Sequence, residues 1–173
     1  MLFETERLIV REVAAEDLDA ILSVYLSNPD YLELTEGSLG EAGRYDVGML
    51  ERDLAIARAT PGRVFAGCFE RDTGETVGIL DWLRENPNDG KPWLGLIMIR
   101  ADRQRQGLAA EAFEGLVEHL RRRGIFVLRE GVIESNAAGR ALAERLGFEP
   151  VERKTMKLAA GEQPILVLER RLD

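Results

Sequence analysis

The chain has 173 residues, enough for one domain (residues 1–173) with a sizeable core. Lys plus Arg number 23 against 31 Asp plus Glu, a net charge of −8, which disfavours nucleic acid as a partner unless basic residues cluster. The one cysteine, Cys68, excludes an internal disulfide and a thiolate metal site, and no apolar run reaches the roughly 18 residues of a membrane span.

In chain order, Arg7–Val13 is β-branched and apolar and reads as a first strand. The charges at Glu4, Glu6, Arg7 and Arg11 exclude a signal peptide, so a soluble cytoplasmic protein is expected. Leu18, Ile21, Leu22, Tyr25 and Leu26 fall at helical spacing, and Asn28-Pro29 is expected to stop that helix. Thr35–Gly43 holds three glycines and no apolar period, the pattern of a mobile loop. Tyr45–Ala59 is a second helix, ended before Pro61-Gly62. The runs "RVFAGCFE" and "ETVGILDWL" flank a hairpin turn at Arg71–Gly74. Glu85–Pro92 is a further turn, which makes "WLGLIMIR" the next strand.

A long helix is expected from about Arg105 to Arg123, with an apolar stripe through Leu108, Ala112, Phe113, Leu116 and Leu120. Then come a strand at "IFVLREGVI", a short helix opened by the capping residues Ser135-Asn136 and ended at Gly147, and two closing strands joined at Ala160-Gly161. The strand–helix–strand unit from Trp93 to Ile133 requires a parallel, right-handed crossover, whereas the hairpins require antiparallel pairing. The fold class is therefore α/β: a mixed, mostly antiparallel sheet with one parallel βαβ splay and helices on both faces.

The step from strand into helix at Gln104–Gly107 presents unpaired N–H groups and a helix dipole, both of which favour an anion. Gly107 lets a ligand approach the backbone, and Arg100, Arg103 and Arg105 add positive charge against only Asp102. This is phosphate-binding chemistry. The P-loop and the dinucleotide-binding glycine pattern are both absent.

Gln104-Arg105-Gln106-Gly107-Leu108-Ala109 resembles the acyl-CoA-binding motif Q/R-x-x-G-x-G/A of the GNAT superfamily of N-acetyltransferases. "SNAAGRALAERLGF" is similar to that superfamily's second signature, and "ETERLIVREVAAEDLDAI" to the opening of the branch that includes ribosomal-protein N-terminal acetyltransferases. The resemblance covers the whole chain. It implies acetyl-CoA as co-substrate, wedged between splayed strands at residues 93–100 and 125–133. The pantetheine arm would pair with the backbone of Ile97, Met98 and Ile99. The pyrophosphate would lie on the amides of Arg105, Gln106, Gly107, Leu108 and Ala109, and Asn136 would approach the pantetheine or the thioester.

The resemblance is incomplete at the proton-transfer positions. Where many members carry a glutamate base this chain has Trp93, where many carry a tyrosine acid it has Ala143, and where the ribosomal branch often has serine it has Gly139. Asp81 is the candidate catalytic residue: it interrupts the apolar run "TVGILDWL", and counting back from the turn at 85–92 places it beside Leu96. It would serve as base or hold a cationic amine.

Other features take plainer readings. Arg121-Arg122-Arg123 complements a helix dipole, and His119 falls off the apolar stripe as a solvated side chain. Glu134 is a helix-start carboxylate, Cys68 a core residue, and Trp82 and Trp93 packing groups. The resemblance implies that the loop Thr35–Gly43, with Tyr31 and Tyr45, shapes the acceptor site. The expected activity is direct acetyl transfer from acetyl-CoA to the primary amine of a peptide N-terminus or a small molecule, by a monomer or homodimer without metal, membrane or nucleic acid. The alternative is a catalytically silent CoA-binding regulator of the same fold.

Overall fold

The structure, a computed structural model, describes residues 1–37 and 45–173. The elements in chain order are β1 (Phe3–Glu4), β2 (Leu8–Glu12), α1 (Leu18–Leu26), α2 (Pro29–Glu36), α3 (Val47–Ala59), β3 (Arg63–Glu70), β4 (Thr76–Leu83), β5 (Trp93–Ile99), α4 (Leu108–Arg121), β6 (Val127–Ile133), α5 (Ala137–Arg145), β7 (Glu149–Leu158) and β8 (Gly161–Arg171). The strands form one sheet in the order β1-β2-β3-β4-β5-β6-β8-β7. Every neighbouring pair is antiparallel except β5 and β6, which are parallel and joined through α4.

Two cores flank the sheet. One holds the stripe of α4 (Leu108, Ala112, Phe113, Leu116, Leu120) with Ala143 of α5 and Leu128 and Val132 of β6. Burying an aromatic such as Phe113, 0% exposed, contributes roughly 1.5–3 kcal/mol. The other packs Ile21, Val24 and Tyr25 of α1 and Leu50 and Leu54 of α3 against Ile79 and Met98. Helices thus cover both faces, as the βαβ unit requires. Among the described residues, no helix is long and apolar enough to cross a membrane.

The structure corrects the expected elements in four places. Asn28-Pro29 ends one helix and begins another, because proline lacks the N–H that a first helical residue leaves unbonded. Of the loop expected at Thr35–Gly43, Thr35 and Glu36 belong to α2, and 38–44 lie outside the described residues. The long helix starts at Leu108 rather than near Arg105, because Gly107 sits at φ 79°, outside helical space. His119 is buried, not solvated: it is 7% exposed and lies 5.4 Å from the Phe3 ring and 5.9 Å from the Trp82 ring. Arg123 donates to its backbone carbonyl, and burial followed by Arg123 lowers its pKa.

Candidate active site

A cleft opens between β5 and β6, and the register shows where. The strands are paired only at Trp93↔Arg129 and Leu94↔Glu130. On its other edge β5 pairs Leu94 with Trp82 but Leu96 with Asp81, so Gly95 is an extra residue and a β-bulge. A bulge bends and twists its strand, and this one lies where β5 leaves β6. Beyond it, the β6-facing edge of β5 has no strand partner, and its peptide groups can meet an extended amide-bearing ligand. Ile97 sits half-buried on this stretch with Met98 and Ile99 buried beside it. The Ile99 carbonyl already accepts from Asn28 Nδ2 at 3.1 Å and Gln104 Nε2 at 2.9 Å.

The wide end of the cleft leads to the start of α4. Among the described residues, the backbone amides of Arg105, Gln106, Gly107, Leu108, Ala109 and Ala110 donate to no backbone carbonyl; Glu111 is the first to do so, to Gly107. Arg105 and Gly107 both have positive φ, at 60° and 79°. A Cβ on Gly107 would meet only Arg7 Nη2, at 3.5 Å, so this glycine leaves open space over the amides.

The positive charge here is smaller than the sequence suggested. Arg103 is bound to Glu70, and Arg100 donates to Asp102 at 2.6 Å and reaches Glu75 at 3.5 Å. The β3–β4 hairpin supplies these acids, so Asp102 is not their sole counter-charge. Arg7 is a cation the sequence reading did not place here. Its Nε donates to Glu111 Oε2 at 2.6 Å and its Nη1 to the Gln106 carbonyl at 2.9 Å. Gln104 ties the loop to the end of α1, donating to Asn28 Oδ1 at 2.8 Å.

Asp81 stands opposite Leu96 on β5, the register counted from the turn. It is 5% exposed and is gripped in a fork: Arg63 Nε donates to Oδ1 at 3.0 Å and Nη2 to Oδ2 at 2.5 Å. The pair faces a cavity of about 300 Å³ between the sheet and helices α1 to α3, lined also by Tyr31, Glu36, Tyr45 and Asp53. Tyr45 donates its hydroxyl to Asp53 Oδ2 at 2.5 Å. Burial pushes the Tyr31 hydroxyl up to about 12. Burial, and then Asp53, raises the Glu36 carboxyl. The space is acidic and aromatic, a setting that suits a cation.

Asn136 caps α5, its Oδ1 accepting from the Gly139 amide at 2.9 Å. A Cβ at Gly139 would lie 2.5 Å from Asn136 Nδ2, so the glycine makes room for this side chain. Trp93 donates its indole N–H to Asp89 and stacks under Lys154, and Ala143 is 2% exposed within the α4–α5 core. Glu130, buried at the last β5–β6 pair, is a group the sequence reading missed.

The family model for the acetyltransferase (GNAT) domain matches residues 7–149. The chain belongs to this family of N-acetyltransferases. The acetyltransferase is similar in structure to one from Thermus thermophilus, with a TM-score of 0.76 at 24% identity over 96% of this chain and 98% of that one. It is also similar to an acetyltransferase from Salmonella typhimurium that modifies the N-terminal serine of ribosomal protein L7/L12 (TM-score 0.74, 18% identity, 98% and 97% covered). A third similar structure is a spermidine N-acetyltransferase from Vibrio cholerae (TM-score 0.68, 13% identity, 96% and 94% covered). No curated protein sequence matches.

Proposed function

We propose that this enzyme moves the acetyl group of acetyl-CoA directly to a primary amine held in the cavity before Asp81. The acceptor is a peptide N-terminus or a small-molecule amine, the two kinds of acceptor used by the similar Salmonella and Vibrio enzymes. The observation that carries the reading is the continuity of the cleft. Open amides stand at its wide end, an unpaired strand edge runs along it, and a carboxylate facing a cavity stands at Leu96.

The residues fit the co-substrate. The amides from Arg105 to Ala109, with the helix dipole and Arg105, hold the pyrophosphate. The free edge of β5 at Ile97, with Met98 and Ile99, takes the pantetheine amides, and Asn136 Nδ2 approaches from the β6 side. An amide on the unpaired edge of β5 past Leu94 donates to the oxyanion as the amine adds to the thioester carbonyl.

Asp81 accepts the proton that the amine loses. The Arg63 fork fixes its orientation, and Oδ1, which accepts from Arg63 Nε alone, keeps a lone pair for the amine. Tyr31, Tyr45, Glu36 and Asp53 draw the amine in as its ammonium form, which gives one proton to bulk water before the neutral nitrogen attacks and passes a second to Asp81. No covalent enzyme intermediate is needed, because both reactants meet in one site. A single molecule joining CoA through an acetyl linker to an amine tests this arrangement. It should bind at least roughly 10²-fold more tightly than acetyl-CoA alone, the low end for reaction-mimicking ligands. Affinity no better than that of acetyl-CoA would place the amine elsewhere.

A further inference from the structure

Glu130 lies where a carboxyl group serves no structural purpose. Leu128, Glu130 and Val132 alternate onto one face of β6, the face covered by α4 and α5. Across the sheet Glu130 is opposite Leu94 and Leu168, both buried and apolar. It is 9% exposed, and among the described residues its Oε1 is the one buried side-chain oxygen or nitrogen without a hydrogen-bond partner. An orphaned buried acid costs stability, and an aliphatic residue would pack better.

Its place in the cleft is well defined. Leu94↔Glu130 is the last pair joining the two strands, and the residues that follow, Gly95 and Gly131, are both exposed. Glu130 therefore closes the narrow end of the cleft from the α4–α5 face. Asp81 stands one step along β5, at Leu96, on the opposite face. Two carboxyl groups thus flank the narrow end from the two sides of the sheet.

We propose that Glu130 is the acid that protonates the sulfur of coenzyme A as the thioester breaks. This rests on the acetyl-transfer reading above. The amine nitrogen forms the new C–N bond and gives its proton to Asp81. The C–S bond breaks with its electron pair on sulfur, and the sulfur takes the proton of Glu130. Water then reprotonates Glu130 and takes the proton from Asp81, so CoA leaves as the thiol. Burial alone raises the Glu130 carboxyl to about 8, and no charged group on the surrounding strands or helices shifts it. It therefore holds a proton at neutral pH and is matched to a thiol, ordinarily near 8.5.

Glu130→Gln and Glu130→Leu test this by two readouts. In thiol-release kinetics both variants should lose roughly 10²-fold or more in kcat, with KM for acetyl-CoA unchanged. The wild-type decline in kcat as pH rises through about 8 should vanish in both. Glu130→Leu should do this in a more stable protein, which separates the role from a folding defect. Without turnover, the ultraviolet absorbance of the thiolate gives the titration of bound CoA. Its thiol should ionise at higher pH in wild type than in Glu130→Gln, because an ionised Glu130 opposes a thiolate beside it. Identical thiol titrations, or full kcat in Glu130→Gln, would overturn this role alone. A wild type that binds CoA and releases no thiol with any amine would overturn the transfer reading and this role with it.

Discussion

Arg63 holds Asp81 by both oxygens, across the β3–β4 pair and against the cavity. Neighbouring strands place the two: Phe65 is the direct partner of Asp81, and Arg63 reaches diagonally from two residues away. Asp81→Asn keeps the shape and removes the charge. If Asp81 accepts the amine proton, kcat should fall by roughly 10²–10⁴-fold with CoA affinity unchanged. A rise in KM for the amine at normal kcat would instead make it an anchor for the ammonium.

Removing Arg63 alone should be worse for the fold than removing both partners. Arg63→Met leaves a nearly buried carboxylate uncompensated, at a cost of roughly 3–5 kcal/mol, and Asp81→Asn in the same protein should recover part of it. Urea unfolding of the two single variants and the double variant measures the coupling. Additive losses would mean that the fork adds nothing.

Gly107→Glu should abolish acetyl-CoA binding in a folded protein, since a strained side chain and a negative charge would sit over the open amides. Because Arg100 and Arg103 are already paired, Arg105→Ala should flatten the salt dependence of CoA affinity more than Arg103→Ala does. Calorimetry over a range of ionic strength decides between them. Equal slopes for both variants would assign the phosphates to another cation.

Much of this was legible in the sequence, and the gaps have a common cause. Counting across the turn at 85–92 reached Asp81↔Leu96, although the strands pair from Leu83↔Trp93 and the Gly95 bulge makes up the one-residue difference. The unpaired amides at the start of α4 were legible from Gly107 and its flanking strand and helix. What could not be counted came from distant segments. His119 looked solvated on the α4 wheel, but Phe3 and Trp82 cover it from other strands. Arg100 and Arg103 looked free until the β3–β4 hairpin brought Glu70 and Glu75. Glu130 did leave a signal: the alternation Leu128, Glu130, Val132 puts it on the core face, like Asp81 in its own strand.

Glu130 also sets a pH dependence of stability. Its folded pKa, about 8, lies above the ordinary 4.5, so the native state binds the extra proton between those values. The ionisation-linked part of its stability cost is absent below about pH 4.5 and grows as pH rises toward 8, reaching a few kcal/mol. Glu130→Leu should therefore stabilise the protein more at pH 8 than at pH 5. A gain that does not vary with pH would mean that the carboxyl is solvated.

Gly139→Ser should disturb Asn136, whose side chain fills the space a Cβ would need. Loss of the α5 cap costs about 1 kcal/mol. Weaker CoA binding in a variant that stays folded would show that Asn136 also touches the ligand, whereas unchanged affinity would limit Asn136 to capping.

The most direct test of the central claim is thiol release from acetyl-CoA by the wild-type protein against a panel of primary amines. The panel should span peptide N-termini and polyamines, with Gly107→Glu as the control. Saturable release with at least one amine is expected, with an acetylated product by mass spectrometry and none from the control. Saturable acetyl-CoA binding by the wild type with no thiol release across the panel would contradict the claim.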